Sequence, residues 1–416
     1  MRSKLLLLLT IFISLAGYSR GQYNYQVLHA FSGGSDDGGG LWGSVALDEQ
    51  GNVYGVTFEG GPNGDGTVFE LSPQSSGSWT MTILHSFPSA PGDGEAPWGG
   101  PVLDRAGNVY GTTRGGGTYD AGAVFELTPG SGGWTYAVIH SLGGLVDPTC
   151  CPWGNPIIDR RGDLYGTGYS VFELSPGPDG WSENVLHVFN GTNGDGSGPQ
   201  AGPILDAAGN LYGTTGSGGG NPNCPNYGCG TVYELQPVAI GAWALGTTAW
   251  RERILHRFGP AGDGVNPSLG QLAMDRCGNL YGSTNAGGWY GYGAVFKLTH
   301  VACAAQGEWV ESILYSFRSC DSGCRPGGGV TLDAAGNLYG TTIVGGLGLC
   351  GCGVVYKLSP QGDGTWQYTL LHTFDGFDGD SPDANLTIGP DGNLYGTAAT
   401  GGEYAYGVVF QIQIAP

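Results

Sequence analysis

Seven times this chain writes one short phrase: GNVYGVT from Gly51, GNVYGTT from Gly107, GDLYGTG from Gly162, GNLYGTT from Gly209, GNLYGST from Gly278, GNLYGTT from Gly336 and GNLYGTA from Gly392. The interval is about 56 residues, with a short third interval and a long fourth. A period of that size belongs to propellers or helical arrays. No copy shows helical periodicity. Each is a set of short β-branched and aromatic runs punctuated by Gly, Asp, Asn and Pro, which is strand chemistry.

One unit reads completely between residues 44 and 87. SVALD is a first strand, EQGN a tight turn and NVYGVT a second strand. FEGGPNGDG is a loop, TVFELS a third strand, PQSSGS a turn and WTMTILHSF a fourth strand. Four antiparallel strands in a meander make one propeller blade. The segment YNYQVLHAF near the start is a fourth-type strand with no blade before it, and GVVFQIQI at the end is a third-type strand with nothing after it. Six complete units and these two pieces make seven. The expected fold is all-β: a seven-bladed β-propeller over residues 22–416, closed by the N-terminal strand in the last blade. Closure removes the open sheet edges of a linear array.

The units D-x-x-GNLYGTT, GG-x(n)-G-x-VFEL and W-x(n)-VLHSF resemble the Gloeobacter/Verrucomicrobia-type tandem repeat of exported bacterial proteins, over nearly the whole chain. The resemblance implies an exported β-propeller-like protein and no assigned catalytic activity. The D-x-x-GN-(L/V)-Y core is more weakly similar to NHL and SMP-30-type propeller repeats.

The start, MRSKLLLLLTIFISLAGYSRGQ, has a basic n-region at Arg2 and Lys4, an apolar run to Leu15 and small residues after it. Residues 1–21 read as a secretory signal peptide. The mature chain is expected to be secreted or periplasmic, monomeric, and not inserted in a membrane. Ten Cys in an exported chain read as disulfides. Cys277 in a first-to-second-strand turn and Cys303 in a third-to-fourth-strand turn fall on one face of one unit, and a bond between them is expected. Zinc is disfavoured for the Cys pairs by export and by ligand spacing. The net charge of −20 argues against nucleic acid and anionic lipid as partners.

Residues in every copy are structural first. His29, His85, His140, His187, His256 and His372 recur in fourth strands, with Tyr315 in the remaining copy. A ring spreads them too far apart for one shared metal. They read as half-buried residues hydrogen-bonded to a neighbour. Asp48, Asp104, Asp159, Asp206, Asp275 and Asp333 precede the GN turn by three residues and read as turn devices. The inter-unit loops around Asp93, Asp195, Asp263 and Asp380 are oxygen-bearing and Gly-rich. Each offers one or two acids where Ca2+ needs six or more oxygens, so turn formation is the stronger reading and no cofactor is expected.

Asymmetric residues point to a site. Trp42, Trp98 and Trp153 each stand six residues before the turn Asp in successive units; Gln200 takes that place in the next. They fall near the mouth of a central channel. The second-to-third-strand loops add Trp289, Tyr290, Tyr292, Tyr404, Tyr406 and Tyr119 on the same face, and the third unit almost lacks this loop. Exposed aromatics on one face suit sugars or peptide side chains; packing of each Trp on its own blade is the competing reading. G-x-S-x-G, H-E-x-x-H and phosphate-loop motifs are absent. The expected role is a binding module for a glycan or an extracellular protein. The alternatives are a polysaccharide-cleaving or metal-dependent lactonase-like enzyme, and a purely structural surface protein.

Overall fold

The structure, a computed structural model, describes residues 23–87, 92–143, 148–224, 228–239, 248–259, 262–267, 269–301, 308–348 and 350–414. The expected signal peptide and Cys303 lie outside these residues. Seven antiparallel sheets form the blades, each ordered from an inner to an outer strand. Blade 1 runs Ala46–Leu47, Val53–Thr57, Thr67–Pro73 and Trp79–Ser86. The same order repeats through blade 6, which ends at Trp366–Thr373. Blade 7 takes Thr387–Ile388, Leu394–Ala398 and Val408–Gln413 from the end of the chain and Asn24–Ala30 from its start. The closing pair is antiparallel, with Asn24 opposite Gln413 and Ala30 opposite Val408. The expected ring and its closure are therefore present. No helix of the described residues is long and apolar enough to cross a membrane.

The repeated phrase builds one local device. In blade 1 the Asp48 carboxylate accepts the Gln50 and Asn52 backbone N–H groups, both at 2.9 Å. It also accepts the Asn52 side-chain amide at 2.8 Å and the Tyr54 hydroxyl at 3.1 Å. One side chain thus satisfies the donors of the turn. Gly55, next in the phrase, lies under the Phe69 ring of the third strand, where a Cβ would come within 2.3 Å of the ring. Blade 7 has Gly389 in the Asp position, and Asp391 takes over, accepting from the Asn393 N–H at 3.0 Å and the Tyr395 hydroxyl at 2.9 Å.

The apolar core lies between blades rather than within them. Each of seven hydrophobic clusters among the described residues joins two neighbouring blades. Leu28, Phe31, Leu41 and Val409 of the seam, for example, pack with Val53, Phe69 and Leu71 of blade 1. Every outer strand carries a register shift just before its His or Tyr. A bulge re-aims the side chains that follow it. It turns the His toward the loop that leaves the blade, so that His29 lies 3.2 Å from Asp37, His256 3.3 Å from Asp263 and His372 2.8 Å from Asp378. The histidines are half-buried; most bond to an Asp of the connecting loop rather than to a neighbouring strand, His140 bonds to Glu183 of the next blade, and His85 stands 3.6 Å from Asp93 without a hydrogen bond. In the last of these loops the partner is Asp378; Asp380 instead pairs through its backbone with Thr400.

Three short disulfides staple loops: Cys224–Cys229, Cys320–Cys324 and Cys350–Cys352. Cys277 carries a free, exposed thiol, and its expected partner Cys303 is not among the described residues.

Candidate functional site at the channel mouth

The segment leading into each innermost strand reaches the ring axis. Six residues before the turn position, the seven blades place Trp42, Trp98, Trp153, Gln200, Leu269, Gly327 and Asp383. Two residues further on they place Ser44, Gly100, Asn155, Gly202, Gln271, Gly329 and Asn385. Members of both sets line one cavity of about 30 Å3 that opens to solvent, among them Trp42, Trp98, Trp153, Gln200, Gln271 and Asp383. That is far less than the roughly 300–1,000 Å3 of an enclosed small-ligand pocket, so the feature is a shallow mouth whose rim, not its interior, offers surface.

The lower ring plugs the channel. Asn155 accepts the Gly100 N–H at 2.6 Å and donates to the Ser44 hydroxyl of blade 1, so one amide of blade 3 reaches across blade 2. Asn385 does the same on the other side. It accepts the Gly329 N–H at 3.0 Å and the Gln271 N–H at 3.1 Å, and donates to the Gln271 carbonyl at 3.2 Å. Gln271 donates onward to the Pro203 carbonyl at 2.8 Å. Amides alternate with glycines because each crossing needs a residue without a side chain beneath it: a Cβ on Gly329 would lie 2.0 Å from the Gln271 carbonyl oxygen.

The upper ring is asymmetric. Trp42 and Trp98 stack at 5.1 Å with a 13° tilt, and Trp98 meets Trp153 at 5.3 Å and 58°. The three are half-buried. Neither expectation for them holds alone: they do not each cap one blade, but lean on one another as a continuous arc over blades 1 to 3. Phe58 meets the Trp98 ring edge-on at 5.3 Å. The Arg114 guanidinium lies 4.5 Å from the Trp153 ring and 5.4 Å from that of Trp98, a cation–π contact that fixes a charged donor at the arc. Blade 3 has only Gly168 and Tyr169 between its second and third strands, which lowers the rim beside Trp153 as expected.

Opposite the arc in chain order, and next to it around the closed ring, stands Asp383. Its Oδ1 is buried and has no hydrogen-bond partner. Burial pushes its carboxyl up to about 7. Asp383 is the one carboxyl among the residues lining the mouth. Sequence reasoning missed it, although it follows Pro382 as Trp98 follows Pro97. The missing turn Asp of blade 7 hid the alignment. The bridging amides were missed as well, since the sequence does not show which residues meet on the axis.

The other expected aromatics do not join this cavity. Trp289 (72% exposed), Tyr290, Tyr292, Tyr404, Tyr406 and Tyr119 sit on the surface of the second-to-third-strand loops. Trp289 lies over Gly262, Tyr406 over Gly33 and Gly39, and Tyr290 under the Arg318 guanidinium at 5.5 Å.

A closed all-β ring of seven four-stranded blades around a plugged axis defines a seven-bladed β-propeller. The chain belongs to the Gloeobacter/Verrucomicrobia repeat family, whose repeats match residues 15–221 and 226–416. Among curated proteins, none matches the chain in sequence. Among solved structures it is similar to an ancestral GH74 enzyme, with a TM-score of 0.54 at 10% identity over 91% of this chain and 48% of that one. The chain thus spans about half the length of that enzyme. It is also similar to a Thermus thermophilus protein named as an oxidoreductase (glucose dehydrogenase), at 13% identity over 94% and 100% of the two chains and a TM-score of 0.42. A third is a protein of unknown function from Dyadobacter fermentans, at 10% identity over 94% and 98% and a TM-score of 0.45. These likenesses are of fold alone.

Proposed function

We propose that the chain is an exported binding module, secreted or periplasmic, whose ligand seats at the Trp-lined mouth of the plugged channel. The observation that carries this reading is the break in ring symmetry. Three aromatic rings, one buried unpartnered carboxyl and several amides converge on one mouth, with the Arg114 guanidinium against the indoles, while blades 5 and 6 place Leu269 and Gly327 at the equivalent positions. An arc of indoles beside polar side chains suits a glycan, whose apolar C–H face stacks and whose hydroxyls take up donors and acceptors. The plug keeps the ligand at the surface.

The test is a glycan array probed with the mature protein and with Trp42→Ala/Trp98→Ala/Trp153→Ala. Binding by the wild type and at least tenfold loss in a variant with an unchanged circular dichroism spectrum is expected. Gln200→Leu, which leaves the arc intact, serves if the triple variant fails to fold. No glycan binding by the wild type would turn the reading to a protein partner.

A hydrolytic reading has one observation in its favour: a carboxyl held protonated near neutral pH, as a general acid requires. Glycoside hydrolysis of the usual kind needs a second carboxyl, and the described lining residues supply one. The binding reading is therefore the better supported.

Asp383 also makes a pH prediction. Its folded pKa of about 7 lies above the ordinary aspartate value of 3.8, so the fold favours the protonated form. The stability it contributes is complete below the unfolded value and is lost as pH rises through about 7. Thermal melts of wild type and Asp383→Asn across that interval should diverge, with the variant the more stable partner on the alkaline side. Parallel curves would show that the carboxyl is ionised throughout.

A further inference from the structure

The outer rim carries chemistry that the channel does not use. At each blade junction the His or Tyr of one outer strand faces the next blade's outer strand, four residues before the equivalent position there. In three of the seven junctions a Tyr ring fills this space. His85 stacks on Tyr136 at 3.6 Å, and the Tyr136 hydroxyl donates to Asp93 of the connecting loop at 2.6 Å. His372 stacks on Tyr25 at 3.7 Å, and Tyr315 on Tyr368 at 4.8 Å.

Three consecutive junctions carry Glu instead, Glu183, Glu252 and Glu311, and in two of them a His, an Asp and the Glu meet among the described residues. Between blades 3 and 4, the His187 Nε2 lies 3.4 Å from Asp195 and 3.6 Å from Glu252. Between blades 4 and 5, the His256 Nε2 lies 3.3 Å from Asp263 and 3.8 Å from Glu311. In each set one atom from all three residues falls within 4.8 Å of the others. The Oε1 atoms of Glu252 and Glu311 are buried with no hydrogen-bond partner. His140 meets Glu183 at 3.1 Å, and no Asp among the described residues joins them.

These sets are poorly satisfied on their own. Two carboxylates share a half-buried space, and like charges at that range oppose each other's ionisation. A divalent cation removes the conflict, since it neutralises both carboxylates and takes the imidazole lone pair. The spacing fits. Donors about 2.1 Å from a tetrahedral Zn2+ stand about 3.4 Å apart, and the His-to-carboxylate distances run from 3.3 to 3.8 Å.

We propose that His187–Asp195–Glu252 and His256–Asp263–Glu311 are two Zn2+ sites that rivet blades 3, 4 and 5 to one another along the outer rim. One imidazole with two carboxylates suits Zn2+ and leaves a fourth position for water. Three donors are too few for Ca2+, which takes six to eight oxygens.

The test uses the whole mature protein, stripped with chelator, dialysed against Zn2+ and analysed for bound metal. Two equivalents are expected for the wild type, one each for Glu252→Tyr and Glu311→Tyr, and none for the double variant. Tyr is chosen because three other junctions carry it at this position, so the variants rebuild a junction the fold already contains. The wild-type melting temperature should rise with Zn2+, and that of the double variant should not. No uptake by the folded wild type would overturn the proposal. So would uptake that survives in the double variant, or uptake of Ca2+ in preference to Zn2+.

Discussion

Deleting Asn24–Ala30 is expected to abolish cooperative folding. This strand is the outermost member of the last blade, hydrogen-bonded along Val408–Gln413. Its loss removes Leu28 from the cluster shared with blade 1 and Tyr25 and Val27 from the cluster shared with blade 6. The stack of Tyr25 on His372 and the Tyr25 hydroxyl bond to the Asp378 carbonyl go with it. Burying each large apolar side chain is worth about 1.5–3 kcal/mol. Three of them plus the ladder approach the entire stability of an ordinary domain, about 5–15 kcal/mol. The deletion also exposes a long apolar sheet edge, which invites association. A thermal melt should show no cooperative transition, and the protein should elute in the void volume of a sizing column. A permutant that moves residues 23–31 behind Gln413 through a short turn should recover the melt, because the strand then completes the same blade as a direct hairpin. Wild-type-like melting of the deletion would mean that the ring does not depend on this closure.

Gly329→Ala should cost more than any other single-methyl change on the axis of blade 6. The new Cβ would meet the Gln271 carbonyl oxygen at 2.0 Å and the Asn385 Nδ2 at 2.9 Å. Both are held by the amide bridge, so neither moves alone. Overpacking of this kind costs about 1–3 kcal/mol or more. Forcing the bridge apart strands buried amide groups for about another 1–3 kcal/mol. The expected loss is about 2–6 kcal/mol, read from a denaturant midpoint at unchanged slope. Gly362→Ala is the control in the same blade, since a Cβ there meets nothing within 4 Å. It should be neutral or slightly stabilising, through the unfolded chain. Equal midpoints for the two variants would show that the plug is not rigid.

The architecture was largely legible in the sequence because the fold is periodic. GNLYGTT fixes a turn, a strand and a glycine under a ring, and seven copies fix the count. The two half-units at the ends specify closure. The Trp arc was legible as a break in that period. What stayed hidden is what only the ring brings together. Asp383 aligns with Trp98 only after the shifted turn of blade 7 is known, and Asn155 and Ser44 are 111 residues apart in the chain yet bonded. The surface aromatics of the loops misled for the same reason. Sequence places Trp289 and Tyr406 on the correct face but gives no radius, and the structure sets them against local glycines, away from the channel lining.

The plugged axis has a consequence for blade number. Around the lower ring, small and amide residues take turns: Gly100, Asn155, Gly202, Gln271, Gly329, Asn385. Two kinds of tile can alternate without fault only around an even circle, and this circle has an odd count. The fault falls between Asn385 and the next position, and Ser44, neither glycine nor amide, occupies it. A six- or eight-bladed ring of the same tiles would need no such residue. Parity therefore marks one address on an otherwise repetitive ring: the seam where both chain ends meet and where Trp42 and Asp383 become neighbours.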